Sequence, residues 1–148
     1  MTADIRVGTS GWVYPHWQGV LYPVDLPQKQ WFAHYARFFD TVEINNTFYH
    51  LPKASVFEHW RQQAPAGFCY AVKASRIITH IQRFAGCQGT LETFLSRASL
   101  LGEALGPILF QLPPSFSVDL GRLEDFLALL PKGFSFVLEF RNPTWLTE

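Results

Sequence analysis

Charged and polar side chains in this sequence recur at the ends of short apolar runs, where a binding or catalytic site could form. Glu43, Lys73, Glu139 and Arg141 are the charged members of this set. Carboxylates serve as general acids or bases, and lysine and arginine neutralise anionic oxygens. We therefore predict a catalytic group with Glu43 or Glu139 as general acid/base, Lys73 as electrostatic partner and Arg141 as an oxyanion or phosphate clamp.

A second set of residues could hold a ligand. The segment Gly8-Thr9-Ser10-Gly11 offers backbone N–H groups and hydroxyls to a phosphate, although a tight turn explains its two glycines equally well. Aromatic side chains could stack on a base or sugar ring, with plain rim packing as the alternative. His80 is the candidate site histidine, against an ordinary loop hydrogen bond. The candidate ligand-binding residues are Thr9, Ser10, Gly11, Trp12, Tyr14, Asn45, Tyr49, Ser75, Arg76, His80, Gln111 and Trp145.

The four charged candidates also have a purely structural explanation. Two carboxylates and two cations could neutralise each other as an ion-pair network inside the fold. Burying such charges is costly unless they pair or meet a ligand, so both explanations satisfy the same physical requirement. The sequence leaves the choice open.

Five short strand-like runs position these residues, and helical patterns separate the runs. Alternating strand and helix patterns predict parallel βαβ units, in which ligands bind at the carboxyl ends of the strands. Helical spacing of apolar residues predicts helices from about residue 28 to 39, after Ser55, from Thr90 to a stop at Gly106, and around residues 120–130. The strand-like runs are Ile5-Arg6-Val7-Gly8-Thr9-Ser10, Thr41-Val42-Glu43-Ile44-Asn45, Tyr70-Ala71-Val72-Lys73-Ala74-Ser75, Pro107-Ile108-Leu109-Phe110-Gln111 and Phe136-Val137-Leu138-Glu139-Phe140-Arg141.

Two α/β architectures accommodate five strands and four helices: a doubly wound open sheet and a TIM-type (β/α)8 barrel. The first strand is followed by a long aromatic loop, without the glycine-rich helix start of a dinucleotide-binding fold, which favours the barrel. A complete barrel takes about 250 residues. We therefore expect residues 1–148 to form a single, partial barrel domain with the first five strands and four intervening helices, lacking the last three βα units.

Five motifs in order resemble a known family along essentially the whole chain. They are Val7-Gly8-Thr9-Ser10-Gly11-Trp12 with Tyr14-Pro15-His16-Trp17, Phe39-Asp40-Thr41-Val42-Glu43-Ile44-Asn45 with Phe48-Tyr49, Ala71-Val72-Lys73-Ala74-Ser75 with Ile78-Thr79-His80, Leu109-Phe110-Gln111-Leu112-Pro113-Pro114, and Glu139-Phe140-Arg141 with Trp145. The pattern closely resembles the YecE-like family, domain of unknown function 72. This resemblance implies a TIM-type barrel, longer family members and a biochemical activity that is unassigned at family level.

Composition restricts the classes of partner. Twelve basic residues balance twelve acidic ones, so no global field favours nucleic acid or anionic lipid. No apolar run is long enough to span a membrane, and no signal peptide is recognisable, so we expect a cytoplasmic protein without membrane contact. Cys69 and Cys87 predict reduced thiols. The histidines lack metal-site spacing, and we expect neither a metal nor a cofactor within this chain.

Three functional hypotheses follow. The leading one is an enzyme-like barrel, with hydrolysis as the first reaction class to consider, acting on a phosphate-bearing or sugar-like ligand. The second is a non-catalytic module that binds nucleic acid or nucleotides through Lys73, Arg76, Arg83 and Arg141. The third is an inactive remnant that self-associates through exposed barrel edges.

Overall fold

The structure, a computed structural model, describes residues 4–146 and contains one parallel sheet. Its strands are β1 Thr9–Ser10, β2 Thr41–Ile44, β3 Cys69–Lys73, β4 Leu105–Gln111 and β5 Phe136–Glu139. They pair in sequence order, each parallel to the next. A doubly wound sheet reverses its strand order at a switch point, so this order does not fit that architecture. The prediction of parallel βαβ units is confirmed, whereas the domain boundary at 1–148 stays a prediction.

The sheet does not close into a barrel. Within residues 4–146, β1 and β5 are its two edges and do not pair with each other. The α/β class and the five parallel strands are therefore as predicted, but the closed barrel that the resemblance implies is not formed by these residues. Closure requires hydrogen bonds between the first and last strands, and five strands leave these two edges apart.

Helices connect successive strands. They are α1 Trp31–Tyr35, α2 Asn46–Tyr49, α3 Ala54–Gln63, α4 Gln88–Ala98 and α5 Leu120–Ala128, with 3-10 turns at Pro15–Trp17, Gln28–Gln30, Ser99–Ala104 and Pro143–Trp145 and a π-helical turn at Ile77–Ile81. Helices α1, α3, α4 and α5 are the four expected crossover helices. Within residues 4–146, no helix is both long and apolar enough to cross a bilayer.

Several predicted boundaries differ from the observed ones. Helix α1 ends at Tyr35 rather than near residue 39, because the Tyr35 hydroxyl donates to the carbonyl of Thr41 and the chain must return to β2 within a few residues. Helix α4 begins before Thr90 and continues into a 3-10 turn. The expected stop, Gly106, lies inside β4, where a Cβ would overlap the Cys69 sulfur.

One core lies between the sheet and the helices. Alternate strand residues, among them Val42, Ile44, Val72, Ile108 and Phe110, are buried towards the helices. We call the opposite surface of the sheet the inner face, and it consists of Ser10, Thr41, Glu43, Cys69, Ala71, Lys73, Leu109, Gln111, Val137 and Glu139. These side chains are half-buried or exposed. The expected alternation of apolar and polar residues along the strands is thus observed.

Candidate functional site

The polar candidates of the strands occupy the inner face at the carboxyl ends, as alternation predicted. Strand register places Ser10 beside Glu43 and Gln111 beside Glu139. The Ser10 hydroxyl donates to Glu43 Oε1 at 2.8 Å, and Gln111 Nε2 donates to Glu139 Oε2 at 3.0 Å. The candidates therefore form two separate hydrogen-bonded pairs, one on each side of β3.

The structure does not join the four predicted catalytic residues into one ion-pair network. Arg141 Nε lies 2.6 Å from Glu139 Oε1. In the described part of the chain, neither Glu43 nor Lys73 has an ion-pair partner within 4.0 Å. Mutual neutralisation therefore explains Glu139 and Arg141 but leaves Glu43 and Lys73 unexplained.

Lys73 lies against an aromatic ring. Its Nζ is 4.6 Å from the centroid of the Phe48 ring, and a cation–π contact offsets part of the cost of partial desolvation. Thr47, beside Phe48 on α2, donates its hydroxyl to the Lys73 carbonyl at 2.6 Å and thereby fixes α2 to β3. We did not predict Phe48 as a site residue, although it lies four residues after the end of β2 and precedes the predicted Tyr49.

His80 packs against the same Phe48 ring. Its ring centroid is 4.9 Å from that of Phe48 at an interplanar angle of 84°, and its Nδ1 is 2.8 Å from the Thr79 hydroxyl. Burial first, and then the positive charges of Arg76, Lys73, Arg141 and Arg83, lower the pKa of His80 below its ordinary value. All four positive charges therefore disfavour protonation of the His80 imidazole. We call His80 and these four cations the cationic cluster.

Little negative charge compensates the cationic cluster. Arg141 is ion-paired with Glu139, and Arg83 donates only to the neutral Ser115 hydroxyl at 3.2 Å. Within residues 4–146, Lys73, Arg76 and Arg83 have no carboxylate within 4.0 Å. A group of unneutralised cations is the electrostatic arrangement that binds anions.

The segment that carries His80 and Arg83 has unusual backbone geometry. His80 lies in a π-helical turn, Ile77–Ile81, and the two residues Arg83 and Phe84 have positive φ values of 47° and 67°. Such turns and left-handed residues concentrate at functional sites because surrounding packing must offset their cost. That packing is supplied by Phe84, which is buried and stacks on Phe126 at 3.8 Å.

Glu139 is suited to positioning rather than to proton donation. Burial acts to raise its pKa, but hydrogen bonds from Gln111 and Arg141 and the charges of Arg141 and Lys73 outweigh burial and hold the pKa below its usual value. At neutral pH the carboxylate is therefore ionised. Of the two predicted acid/base candidates, Glu43 is left as the better general base, since the only hydrogen bond to its carboxylate in the described residues comes from Ser10.

The turn after β1 uses much of its hydrogen-bonding capacity internally. Both Thr9 N and Thr9 Oγ1 lie 3.0 Å from the Tyr35 hydroxyl, and Thr9 Oγ1 donates to the Gly11 carbonyl at 2.7 Å. Gly11 N donates to the Glu43 carbonyl at 2.8 Å, at a φ of 79° that favours glycine. Thr9 and Gly11 therefore shape the turn, so we do not assign them to the anion site.

The aromatic candidates are divided between two places. Trp145 packs on Phe116 and Phe140 near β5, with its indole N–H donating to the Phe116 carbonyl. The remaining aromatic candidates lie at the β1–β2 end, around a cavity of about 400 Å³ that we call the aromatic pocket. Its lining residues are Gly11, Trp12, Val13, Tyr14, Ile44, Asn45, Asn46, Tyr49 and Trp60.

Two further candidates have separate surroundings. Ser75 is buried, and its hydroxyl accepts a hydrogen bond from Ile77 N at the start of the π-helical turn. Ser75 therefore orients the segment that carries His80, while Arg76 is exposed and close enough to influence that histidine. Within residues 4–146, no three His, Cys, Asp or Glu side chains come together as metal ligands would.

Comparison with known proteins gives a consistent family relationship. The sequence profile of the family described as Protein of unknown function DUF72 matches residues 6–148. UPF0759 protein YecE of Escherichia coli (strain K12) is 32% identical over 145 residues, covering 97% of this chain and 51% of that protein. The chain thus spans about half the length of the curated relatives it matches.

Comparison with solved structures supports the same family relationship. The crystal structure of a DUF72 family protein from Thermotoga maritima MSB8 has a TM-score of 0.83 at 30% identity, covering 97% of this chain and 58% of that one. A DUF72 family protein from Enterococcus faecalis V583 has a TM-score of 0.71 at 19% identity, covering 95% of this chain and 53% of that one, which supports the fold alone. The motifs, the fold and these matches together show that the chain belongs to the DUF72 family.

Proposed function

We propose that this protein binds a small phosphate-bearing ligand at the cationic cluster and acts on it as an enzyme, with hydrolysis as the first reaction to test. The observation that carries the proposal is a group of side chains at the carboxyl ends of the strands: Lys73 and His80 both contact the Phe48 ring, and Arg141 pairs with Glu139. Arg76 and Arg83 lie on the segment that follows β3 and carries His80. Phosphate oxygens are the common anionic groups that such cations bind. Glu43 is the proposed general base, and Arg141, held by Glu139, is the proposed clamp.

We also propose that the open sheet is part of a TIM-type barrel architecture. Sequential parallel strands, helices on one face and polar side chains on the other support this proposal. In such folds, active sites form at the carboxyl ends of the strands, where the cationic cluster lies. The likeness to solved structures covering 58% and 53% of those longer chains is compatible with it.

Lys73→Ala is expected to weaken binding of inorganic phosphate and phosphate esters about 10- to 100-fold, because one charge-assisted contact contributes that much. Isothermal titration calorimetry with inorganic phosphate, a sugar phosphate and a nucleoside monophosphate measures the change. Lys132→Ala is the matched control, since it removes the same charge from an exposed turn. Equal affinities for the two variants would contradict the proposal.

Glu43→Gln separates binding from reaction in the same experiment. The amide keeps the shape of the side chain but cannot accept a proton, so affinity for phosphate esters should persist while release of phosphate falls. Binding without any turnover in the unmodified protein would leave a binding module as the function. Tight binding of oligonucleotides with a steep loss of affinity in salt would favour the nucleic-acid alternative.

We further propose that the open sheet edges associate with a second copy of the chain. Apolar residues near both edges are exposed, with Ile5 82%, Val7 70% and Val137 44% accessible. Unpaired edge strands are templates for further strand pairing. Sedimentation velocity over a concentration series should show dimers or larger species, and Val137→Lys should shift them towards monomer.

The matched control for this association is Val20→Lys, because Val20 is 85% exposed but lies in the loop after β1 rather than on a strand. A monomer at all concentrations, or equal effects of the two lysine variants, would rule out association through the edges.

A further inference from the structure

The aromatic pocket has two walls that are fixed before any ligand arrives. Trp12 is packed edge-on by Phe32 and Trp60, at centroid distances of 5.2 Å and 6.1 Å. Tyr14 packs on Trp17 at 4.6 Å, and its hydroxyl donates to the Ser10 carbonyl. Because Phe32 and Trp17 hold these rings from outside the pocket, and Trp60 holds Trp12 from within its lining, the rings need no reordering to receive a ligand.

The third wall, the Tyr49 ring, is largely exposed to solvent. Tyr49, on α2, is 64% exposed, and its ring contacts Phe48 edge-on at 5.1 Å. An exposed aromatic ring beside a preformed pocket can close over a flat molecule at low cost, because tyrosine has only two side-chain torsions to fix. The pocket volume of about 400 Å³ lies within the range of small-molecule sites.

One side chain that lines the pocket has an unsatisfied polar atom. Asn45 lines the pocket, and its buried Oδ1 has no hydrogen-bond partner in the part of the chain described. A buried acceptor without a donor is unfavourable, so the side-chain amide gains free energy if it turns towards a ligand that supplies a donor. Rotation about the side-chain amide presents either its oxygen or its NH2 group, which suits a ring bearing N–H, C=O or hydroxyl groups.

The pocket and the cationic cluster share the helix α2. Phe48, on this helix, contacts Lys73 and His80 of the cluster, and the adjacent Tyr49 lines the pocket. The two sites therefore adjoin at consecutive residues of one helix, a spacing that a ligand carrying both a ring and a charged group would bridge.

We propose that the aromatic pocket binds the ring of the ligand whose phosphate binds the cationic cluster. This ligand is a phosphate monoester of a ring compound, and its ring stacks against Tyr49 and Trp12 and hydrogen-bonds to the Asn45 side chain. This inference rests on the proposed function, because the phosphate is assigned to the cationic cluster. Sugar phosphates and nucleoside monophosphates share this chemistry, since both carry a ring and a phosphate monoester.

The test is a calorimetric titration of the unmodified protein and Tyr49→Ala with five probes: inorganic phosphate, glucose 6-phosphate, uridine monophosphate, glucose and uridine. Loss of the stacking ring should weaken binding of the preferred ring phosphate about 5- to 100-fold. Affinity for inorganic phosphate should not change. Phe38→Ala is the matched control, because it removes a ring of similar exposure, 60%, from a site outside the pocket.

The outcomes separate this inference from the proposed function. If Lys73→Ala abolishes binding of both phosphate esters and Tyr49→Ala weakens neither, the ring subsite is overturned and the phosphate site stands. If inorganic phosphate does not bind but glucose or uridine does, and Tyr49→Ala abolishes it, the ring site stands and the phosphate site fails. If no ring compound binds, the inference is overturned. Preference for the sugar or for the nucleotide identifies the ring.

Discussion

Phe110→Ala should lower the free energy of unfolding by about 3–5 kcal/mol, the usual cost of removing a fully buried phenyl group. Phe110 is 0% exposed and lies within 5.0 Å of Phe126, 5.9 Å of Phe136 and 6.3 Å of Phe84, measured between ring centroids. Truncation leaves a cavity among three rings that cannot collapse without moving β5 and α5. Urea unfolding followed by circular dichroism measures the change.

A loss of this size approaches the whole stability of a typical domain, so a milder variant belongs in the same experiment. Phe110→Leu should cost about 1 kcal/mol, because it keeps most of the buried volume. Phe38→Ala, at a position 60% exposed, should change stability by less than about 0.5 kcal/mol. If the Phe110→Ala and Phe38→Ala variants unfold at the same urea concentration, the described core packing is wrong.

Gly8→Ala should also be strongly destabilising, by about 1–3 kcal/mol as is typical of overpacking. A Cβ at Gly8 would overlap the carbonyl oxygen of Thr41 and lie 2.9 Å from its carbonyl carbon. Backbone atoms of a paired strand cannot rotate away, so β1 must shift from β2. The shift should break the register of Ser10 with Glu43 and expose the hydrogen bond from Gly11 N to the Glu43 carbonyl.

Amide hydrogen exchange at Gly11 reports this shift, and exchange should accelerate in the Gly8→Ala variant. The matched control is Gly121→Ala. Gly121 lies in α5 with its nearest neighbouring atom 3.9 Å from a Cβ, so alanine should stabilise the helix by about 0.5–1 kcal/mol. Loss of stability in both variants, or in neither, would contradict the close approach of Gly8 to β2.

Local sequence patterns predicted the long elements better than the short ones. The stripe of Leu91, Phe94, Leu95 and Ala98 predicted α4 because several turns of one helix repeat the same spacing. Helix α2, Asn46–Tyr49, is only four residues long, and the sequence analysis did not identify it as a helix. A single turn provides no periodicity to recognise. Its position depends on the hydrogen bond that the Thr47 hydroxyl donates to the Lys73 carbonyl.

The candidate site also combines features that the sequence predicted with features that depend on the tertiary structure. Alternation along each strand, with the apolar members facing the helices, by itself predicted that Glu43, Lys73, Gln111 and Glu139 lie on the inner face near the carboxyl ends. Their partners depended on the tertiary structure. Lys73 meets the Phe48 ring instead of a carboxylate, since strand register places Ala71, not Lys73, beside Glu43.

The sequence by itself determined the family, the order of strands and crossover helices, and the face that carries the polar residues. These follow from local periodicity and from motifs that are contiguous in the chain. Only the tertiary structure decided that the sheet is open, that Lys73 and His80 share the Phe48 ring, and that Tyr49 lines a separate pocket. Those features depend on the stagger of neighbouring strands and on contacts between residues far apart in sequence, which no local pattern encodes.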